Sequence, residues 1–238
     1  AAIHDLGSMD ILCTDKTGTL TDAKIAFAQA VTAAGGESTE VLLLAHLNSA
    51  FSRGIESPLD SALRSAQSTP EDWQGLGEVP FDFDRRRVSV LVKHGDTILL
   101  ITKGAPDEVM SVCTGLGLPT GPMSPASNTA RQTARDQVEA LGNKGERALG
   151  VSWKVMPSAT LSCSLEDEHD MTLAGFVTFI DPPKPSAAQA LKDLSKLGVS
   201  MMILTGDSKP VTARVCQQLD FGVTGILEGD QIGKLDDA

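Results

Sequence analysis

Apolar and polar positions along the chain fall into two styles. Residues 9–14 (MDILCT) are a short apolar run that stops at a polar, glycine-containing loop, the pattern of a buried strand. Residues 38–52 carry the apolar stretch EVLLLAHL behind Ser38 and Thr39, either of which can cap a helix. A second helix is predicted from Ser57-Pro58 to about residue 68, with serine as cap and proline in the first turn. Residues 87–93 and 96–102 are runs rich in β-branched side chains on either side of His94-Gly95, which predicts a hairpin. A short helix over 104–113 begins near Ala105-Pro106. Residues 114–127 (TGLGLPTGPMSPAS) read as a surface loop, 128–141 as a helix, 147–154 as a strand and 157–170 as a loop, acidic at its end.

From residue 171 the style changes. Residues 171–180 predict a strand, 185–197 a helix, 199–204 a strand and 209–219 a helix. That β-α-β-α order is the signature of a parallel sheet with crossover helices, and residues 9–14 share its buried strand character. The pattern therefore predicts one α/β domain interrupted by an α+β insertion over about residues 26–170.

Composition narrows the function. The 238 residues are 41% hydrophobic and 21% charged, as in an ordinary globular protein. The formal net charge of -11 argues against a general nucleic-acid binder, and any site for an anionic ligand must be locally basic. Cys13, Cys113, Cys163 and Cys216 are scattered without a CxxC pair, and His4, His46, His94 and His169 do not cluster. Neither pattern supports a zinc site, and reduced thiols in a cytosolic setting are the expectation. No apolar run approaches the ~20 residues that span a bilayer. The start, Ala1-Ala2-Ile3, reads as that of a piece of something longer.

The strongest chemical feature is Asp15-Lys16-Thr17-Gly18-Thr19-Leu20-Thr21, directly after the first strand. Ligands of open parallel sheets sit at the carboxyl ends of strands, so a carboxylate there is placed to attack phosphorus. Thr17, Gly18 and Thr19 offer hydroxyls and backbone N–H groups to phosphate oxygens, and Lys16 offsets negative charge. Thr205-Gly206-Asp207 follows the strand at 199–204, on the same expected sheet edge, where a hydroxyl and an N–H can hold a transferring phosphoryl group. Asp181-Pro182-Pro183 stiffens the return from the insertion. Lys103-Gly104 ends a hairpin strand, with a lysine able to face a nucleotide and a glycine that lets backbone approach it. Phe81 can stack on a base, although alone it reads as core. Arg85-Arg86-Arg87 is the sharpest basic cluster. Neither GxxxxGK[ST] nor GxGxxG occurs, so a P-loop or Rossmann reading has no support.

DKTGTLT resembles the phosphorylation motif of P-type ATPases, which belong to the haloacid-dehalogenase-like fold group. Lys103-Gly104-Ala105-Pro106, Asp181-Pro182-Pro183 and Thr205-Gly206-Asp207 resemble further family motifs, in matching order, and the resemblance covers the whole chain. PFDFDRRRVSV, GFVTFIDPPK and MMILTGDSKPVTARVC are most similar to the bacterial magnesium-transporting branch. The resemblance implies a haloacid-dehalogenase-like phosphorylation domain at 1–25 and 171–238, split by a nucleotide-binding domain at 26–170. It implies ATP and Mg2+, with Asp15 accepting the γ-phosphate and Asp15 and Thr17 at the metal. Phe81 then matches an adenine-stacking phenylalanine, Arg147 an arginine that reaches phosphate, Asp60 an acidic adenine contact, and Asp181 a nucleotide contact. The calcium-pump pattern has an arginine where this chain has Phe83, so which of Arg85, Arg86 and Arg87 serves the nucleotide is left open.

The expected partners are ATP, the rest of the same polypeptide with its actuator and membrane helices, and a transported cation bound by those helices. The expected setting is the cytoplasmic face of a membrane. The family's later GDGxND segment does not occur in these residues, so the chain by itself is expected to bind nucleotide with negligible turnover. The alternatives are a pump for another cation such as calcium, a soluble phosphatase of the same fold group, or a stand-alone nucleotide-binding module. Phosphatases of the group carry a second aspartate where this chain has Thr17.

Overall fold

The computed structural model describes residues 9–22, 24–54, 56–207 and 209–233. The first eight residues, His4 among them, and the last five lie outside the described residues. The chain divides into two compact units, one of 25–141 and 146–180, the other of 1–24, 142–145 and 181–238.

The larger unit is an eight-stranded sheet covered on both faces. Its strands are β2 (Ala26–Thr32), β3 (Trp73–Asp82), β4 (Arg87–His94), β5 (Thr97–Gly104), β6 (Cys113–Leu116), β7 (Ser124–Pro125), β8 (Arg147–Met156) and β9 (Met171–Ile180), with β1 in the other unit. Their order is β3-β4-β5-β8-β9-β6-β7, and β2 runs antiparallel along the second half of β9. Only β6 against β9 is parallel among these pairs. The helices are α1 (Thr39–Phe51), α2 (Pro58–Ala66), α3 (Pro106–Ser111) and α4 (Asn128–Asn143).

The two apolar layers explain the unbroken hydrophobic runs. On β4 and β5, Val90, Val92, Leu99 and Ile101 pack with Val41, Leu44 and Leu47 of α1 and Leu63 of α2. Their neighbours Leu91, Ile98 and Leu100 point the other way, to Val109 of α3 and Ala134 and Leu141 of α4. Side chains alternate faces along a strand, so a strand sandwiched between helices is apolar at every position. Local signals start the helices where expected. Ser38 Oγ accepts from the Val41 N–H, and Ser57 with Asp60 forms a capping box behind Pro58.

Two expectations are corrected, and two strands are new. Residues 171–180 do not join the parallel run; β9 pairs antiparallel with β8 and β2 inside the larger unit, which closes at Ile180 rather than at residue 170. Gly175 permits this, because a Cβ there would lie 2.0 Å from the Val31 carbonyl oxygen. Residues 114–127 are not all loop, since β6 takes the edge of β9 and β7 pairs with β6. Strands β2 and β3 were not foreseen at all. The first is alanine-rich (AFAQAVT), and the second carries two glycines and Pro80. As an edge strand with two register shifts, β3 accommodates that proline without a ladder bond.

The smaller unit is built on a two-stranded parallel sheet, β1 (Ile11–Asp15) against β10 (Ser200–Leu204), with Asp15 opposite Leu204. Helices α5 (Pro185–Lys196) and α6 (Lys209–Gln218) cover one face through Ala187, Leu191 and Val215, which pack with Leu20 and Leu219 against Met201 and Ile203. A single turn, α7 (Gly229–Ile232), follows.

Candidate functional site

In the smaller unit both strands deliver their motifs to one end. The parallel register puts Asp15 beside Leu204, so the loops starting at Lys16 and Thr205 leave the same sheet edge. The 16–20 turn closes with Gly18 at φ 79° and Thr21 N–H bonded to the Lys16 carbonyl. Thr21 Oγ1 accepts from the Gly18 N–H and donates to Asp181 Oδ2 at 2.6 Å. The chain returning through Pro182 and Pro183 is stitched to this turn by Asp22 N–H to Pro182 O and Lys184 N–H to Leu20 O. Lys184 Nζ reaches the Gly18 carbonyl at 2.5 Å.

Lys16 is only 3% exposed. Its ammonium lies 2.5 Å from Asp207 Oδ2 and 3.3 Å from Asp181 Oδ2. One buried cation thus ties three motifs together and neutralises two carboxylates behind the turn that follows Asp15. Asp15 and Thr17 are exposed, and the Asp15 carboxylate has no side-chain partner among the described residues. Asp207 N–H turns back to Thr205 Oγ1 at 3.1 Å, and Gly206 is open to solvent. No three His, Cys, Asp or Glu side chains converge on a metal position among the described residues. The free Asp15 carboxylate and neighbouring carbonyls are hard oxygen donors, which suits Mg2+, an ion that takes one or two carboxylates and completes its shell with water and phosphate.

The larger unit gathers the other candidates. Lys103, at the end of β5, is 4% exposed and donates to Ser49 Oγ and to Asp60 Oδ1, the latter at 2.6 Å. Asp60 also accepts from Ser49 Oγ at 2.8 Å and from Ser57 Oγ at 2.6 Å. Burial would raise the Asp60 carboxyl, but the Lys103 ammonium and the hydrogen bonds from Lys103, Ser57 and Ser49 outweigh it and hold it down at about 2. Burial pushes Lys103 below the ordinary lysine range, against the pull of Asp60. Lys103, expected to face a nucleotide, and Asp60, expected as an acidic adenine contact, hold each other in this structure.

Gly104 is set by its strand neighbour. A Cβ there would lie 2.4 Å from the Arg86 carbonyl and 2.5 Å from Arg87 Cβ, so the glycine admits the opposing strand. Gly104→Ala is expected to destabilise the chain by about 1–3 kcal/mol, the cost of overpacking, read as a lower urea midpoint at unchanged slope.

Phe81 is not core. It is 53% exposed, and Phe83 beside it is 88% exposed, the two rings meeting edge to face with centroids 5.4 Å apart. The three arginines separate by environment. Arg85 and Arg87 both bind the carboxylate of Glu168. Arg86 is exposed, at φ 51°, and its side chain has no partner among the described residues. Arg147 opens β8, is exposed and is likewise unpaired. Lys103 lies opposite Val151, and 147 and 151 share parity, so Lys103 and Arg147 belong to one face of the sheet. None of the candidate residues lines the cavity of about 410 Å³ bounded by Thr32, Ala33, Leu116, Leu118, Ala130 and Thr133. Sequence reasoning missed Glu168 and Ser49; nothing in an acidic loop or a helical serine marks either as a partner of basic residues.

The end of β1 thus presents a carboxylate with no side-chain partner among the described residues, and a buried lysine joins two further aspartates behind it. Residues 22–186 match the family model for the P-type ATPase cytoplasmic domain N, and the chain belongs to the P-type ATPase family. It is 37% identical, over 99% of its length, to the magnesium-transporting ATPase, P-type 1, of Escherichia coli K12, covering 27% of that protein. It is 39% identical, over its whole length, to a protein of the same name from Salmonella typhimurium LT2, again covering 27%. To a calcium-transporting ATPase of Listeria monocytogenes it is 28% identical over 97% of its length, covering 28% of that protein. The chain thus spans about a quarter of the length of the curated relatives it matches.

Proposed function

We propose that this chain is the ATP-binding and phosphoryl-accepting part of an ATP-driven cation pump, at the cytoplasmic face of a membrane. In this reading the smaller unit is the haloacid-dehalogenase-like phosphorylation domain and the larger unit the nucleotide-binding domain inserted into it. The carrying observation is the exposed, unpaired Asp15 at the end of β1, backed by the Lys16–Asp181–Asp207 cluster. Magnesium is the proposed cargo, supported by higher identity to the magnesium-transporting relatives than to the calcium-transporting one.

One carboxylate oxygen of Asp15 attacks the γ-phosphorus of ATP, the bond to the β,γ-bridging oxygen breaks, and ADP leaves with that electron pair. The product is an aspartyl phosphate. The Asp15 carboxylate and the Thr17 carbonyl would hold Mg2+, which when bound neutralises phosphate charge. Thr205 Oγ1 and the Gly206 N–H are the donors proposed for the transferred group. Lys16 fixes Asp181 and Asp207 behind the loop, so the approach to Asp15 carries less negative charge than the sequence alone implies.

At the nucleotide, Phe81 offers the stacking surface, and Arg86 and Arg147 are the proposed phosphate contacts. Base stacking is worth ~1–3 kcal/mol. Phe81→Ala is therefore expected to weaken ATP binding by about one to two decades, whereas Asp15→Asn leaves it nearly unchanged. Calorimetric titration checks both, and an unaltered affinity in Phe81→Ala would remove the stacking assignment. Arg86→Ala and Arg147→Ala are each expected to cost ATP about five- to tenfold and adenosine almost nothing, since a charge-assisted bond needs the phosphate. Equal losses for both ligands would mean that these arginines act on the fold instead.

A further inference from the structure

Glu168 sits in the loop between β8 and β9, in none of the motifs used above. Its side chain is 1% exposed, and it accepts from Arg85 Nη1 at 2.7 and 2.8 Å, from Arg87 Nε at 2.8 Å and from Ser89 Oγ at 2.6 Å. Ser89 is bonded in turn to Thr102 Oγ1 at 2.7 Å. The backbone that carries Glu168 is fixed on both sides. Lys154 Nζ donates to the carbonyls of Asp167 and His169, at 2.5 and 3.0 Å. Ser164 and Asp167 form a capping box one turn earlier.

Arg85 carries this anchor onward. While Nη1 holds Glu168, Nη2 donates to the Pro80 carbonyl at 2.6 Å, the peptide that leads into Phe81. Asp82 Oδ1 accepts from the Asp84 and Arg85 N–H groups, both at 2.9 Å, which sets the turn that follows. The sheet itself does little here. The β3–β4 register shifts between Val79 and Asp82, so Phe81 lies where ladder pairing lapses. A buried carboxylate between two arginines adds little net stability compared with apolar packing, but it specifies geometry closely.

We propose that Glu168 is a positioning residue for the nucleotide: through Arg85 it fixes the 80–86 turn with Phe81 presented outward, and it occupies Arg85 and Arg87 so that Arg86 alone of the three is free for the ligand. This rests on the assignment of Phe81 to the nucleotide site.

The test uses the 238-residue chain and titrates ATP and adenosine into Glu168→Gln, Glu168→Asp and Phe81→Ala, singly and with Glu168→Gln added to Phe81→Ala. Glu168→Gln is expected to weaken ATP and adenosine alike by about tenfold, because the loss falls on stacking. Glu168→Asp restores part of it, and in the Phe81→Ala background Glu168→Gln costs less than about twofold. Amide exchange should quicken at 80–86 while β5 and β9 keep their protection. Should Glu168→Gln not fold, Arg85→Lys, which keeps the charge and loses the fork to Pro80, is expected to show the same losses. Wild-type affinity in folded Glu168→Gln or in Arg85→Lys, with Phe81→Ala still weakened, overturns the positioning role and leaves the nucleotide site standing. Unchanged adenosine affinity in Phe81→Ala overturns both.

Discussion

Asp60→Asn is expected to destabilise the larger unit by about 3–5 kcal/mol, the usual cost of removing one partner from a buried ion pair. Lys103 is almost fully buried, and among the described residues its ammonium has Asp60 and Ser49 to replace hydration. Asparagine leaves that charge uncompensated and weakens the capping box of α2, itself worth about 1 kcal/mol. The double variant Asp60→Asn, Lys103→Met is expected to recover most of the loss, because the destabilising species is the orphaned ammonium. Urea unfolding followed by far-UV circular dichroism reads the midpoints. A single variant as stable as the parent would mean that the pair contributes nothing.

The same pair gives a pH dependence with a definite sign. The Asp60 carboxyl is held at about 2 against an ordinary 3.8, so its contribution is complete above the unfolded value and fades as pH falls through the window from about 4 to 2. That drop corresponds to about 2 kcal/mol. Lys103 contributes with the same sign but in the alkaline range: burial lowers its pKa, so the unfolded state holds the proton more tightly, and the cost of the buried charge is relieved as pH rises. Acid unfolding of the parent should therefore steepen below pH 4, and the double variant should lose that component.

Much of the fold is written locally, and those parts were legible. The capped starts of α1 and α2 and the β4–β5 hairpin around His94-Gly95 need only their own residues. What depends on a distant partner was not. An apolar strand covered on both faces looks the same whether its neighbours are parallel or antiparallel, so β9 was assigned to the wrong sheet. β3 hides behind Gly75, Gly77 and Pro80, residues that an edge strand tolerates and a central one does not.

The site divides along the same line. DKTGTLT is legible because its chemistry sits in seven consecutive residues after a strand. That Lys16 turns inward to two aspartates far along the chain is a packing fact. Lys103 reads as a solvated strand end until Asp60 is seen against it. Glu168 stands in EDEHD, where its exposed neighbour Glu166 is indistinguishable by type; only burial against arginines some eighty positions away separates the two.

The central claim concerns Asp15, and labelling tests it most directly. The polypeptide carrying these residues is incubated with Mg2+ and γ-labelled ATP, quenched in acid and mapped by peptide. The account predicts one stoichiometric, acid-stable and hydroxylamine-labile label on the peptide containing Asp15, as for an acyl phosphate. Asp15→Asn should abolish it completely while ATP affinity stays at the parent value, because Asp15 and the proposed nucleotide contacts Phe81, Arg86 and Arg147 belong to different units. A label of the same size that persists in Asp15→Asn, or that maps to any other residue, would contradict the assignment.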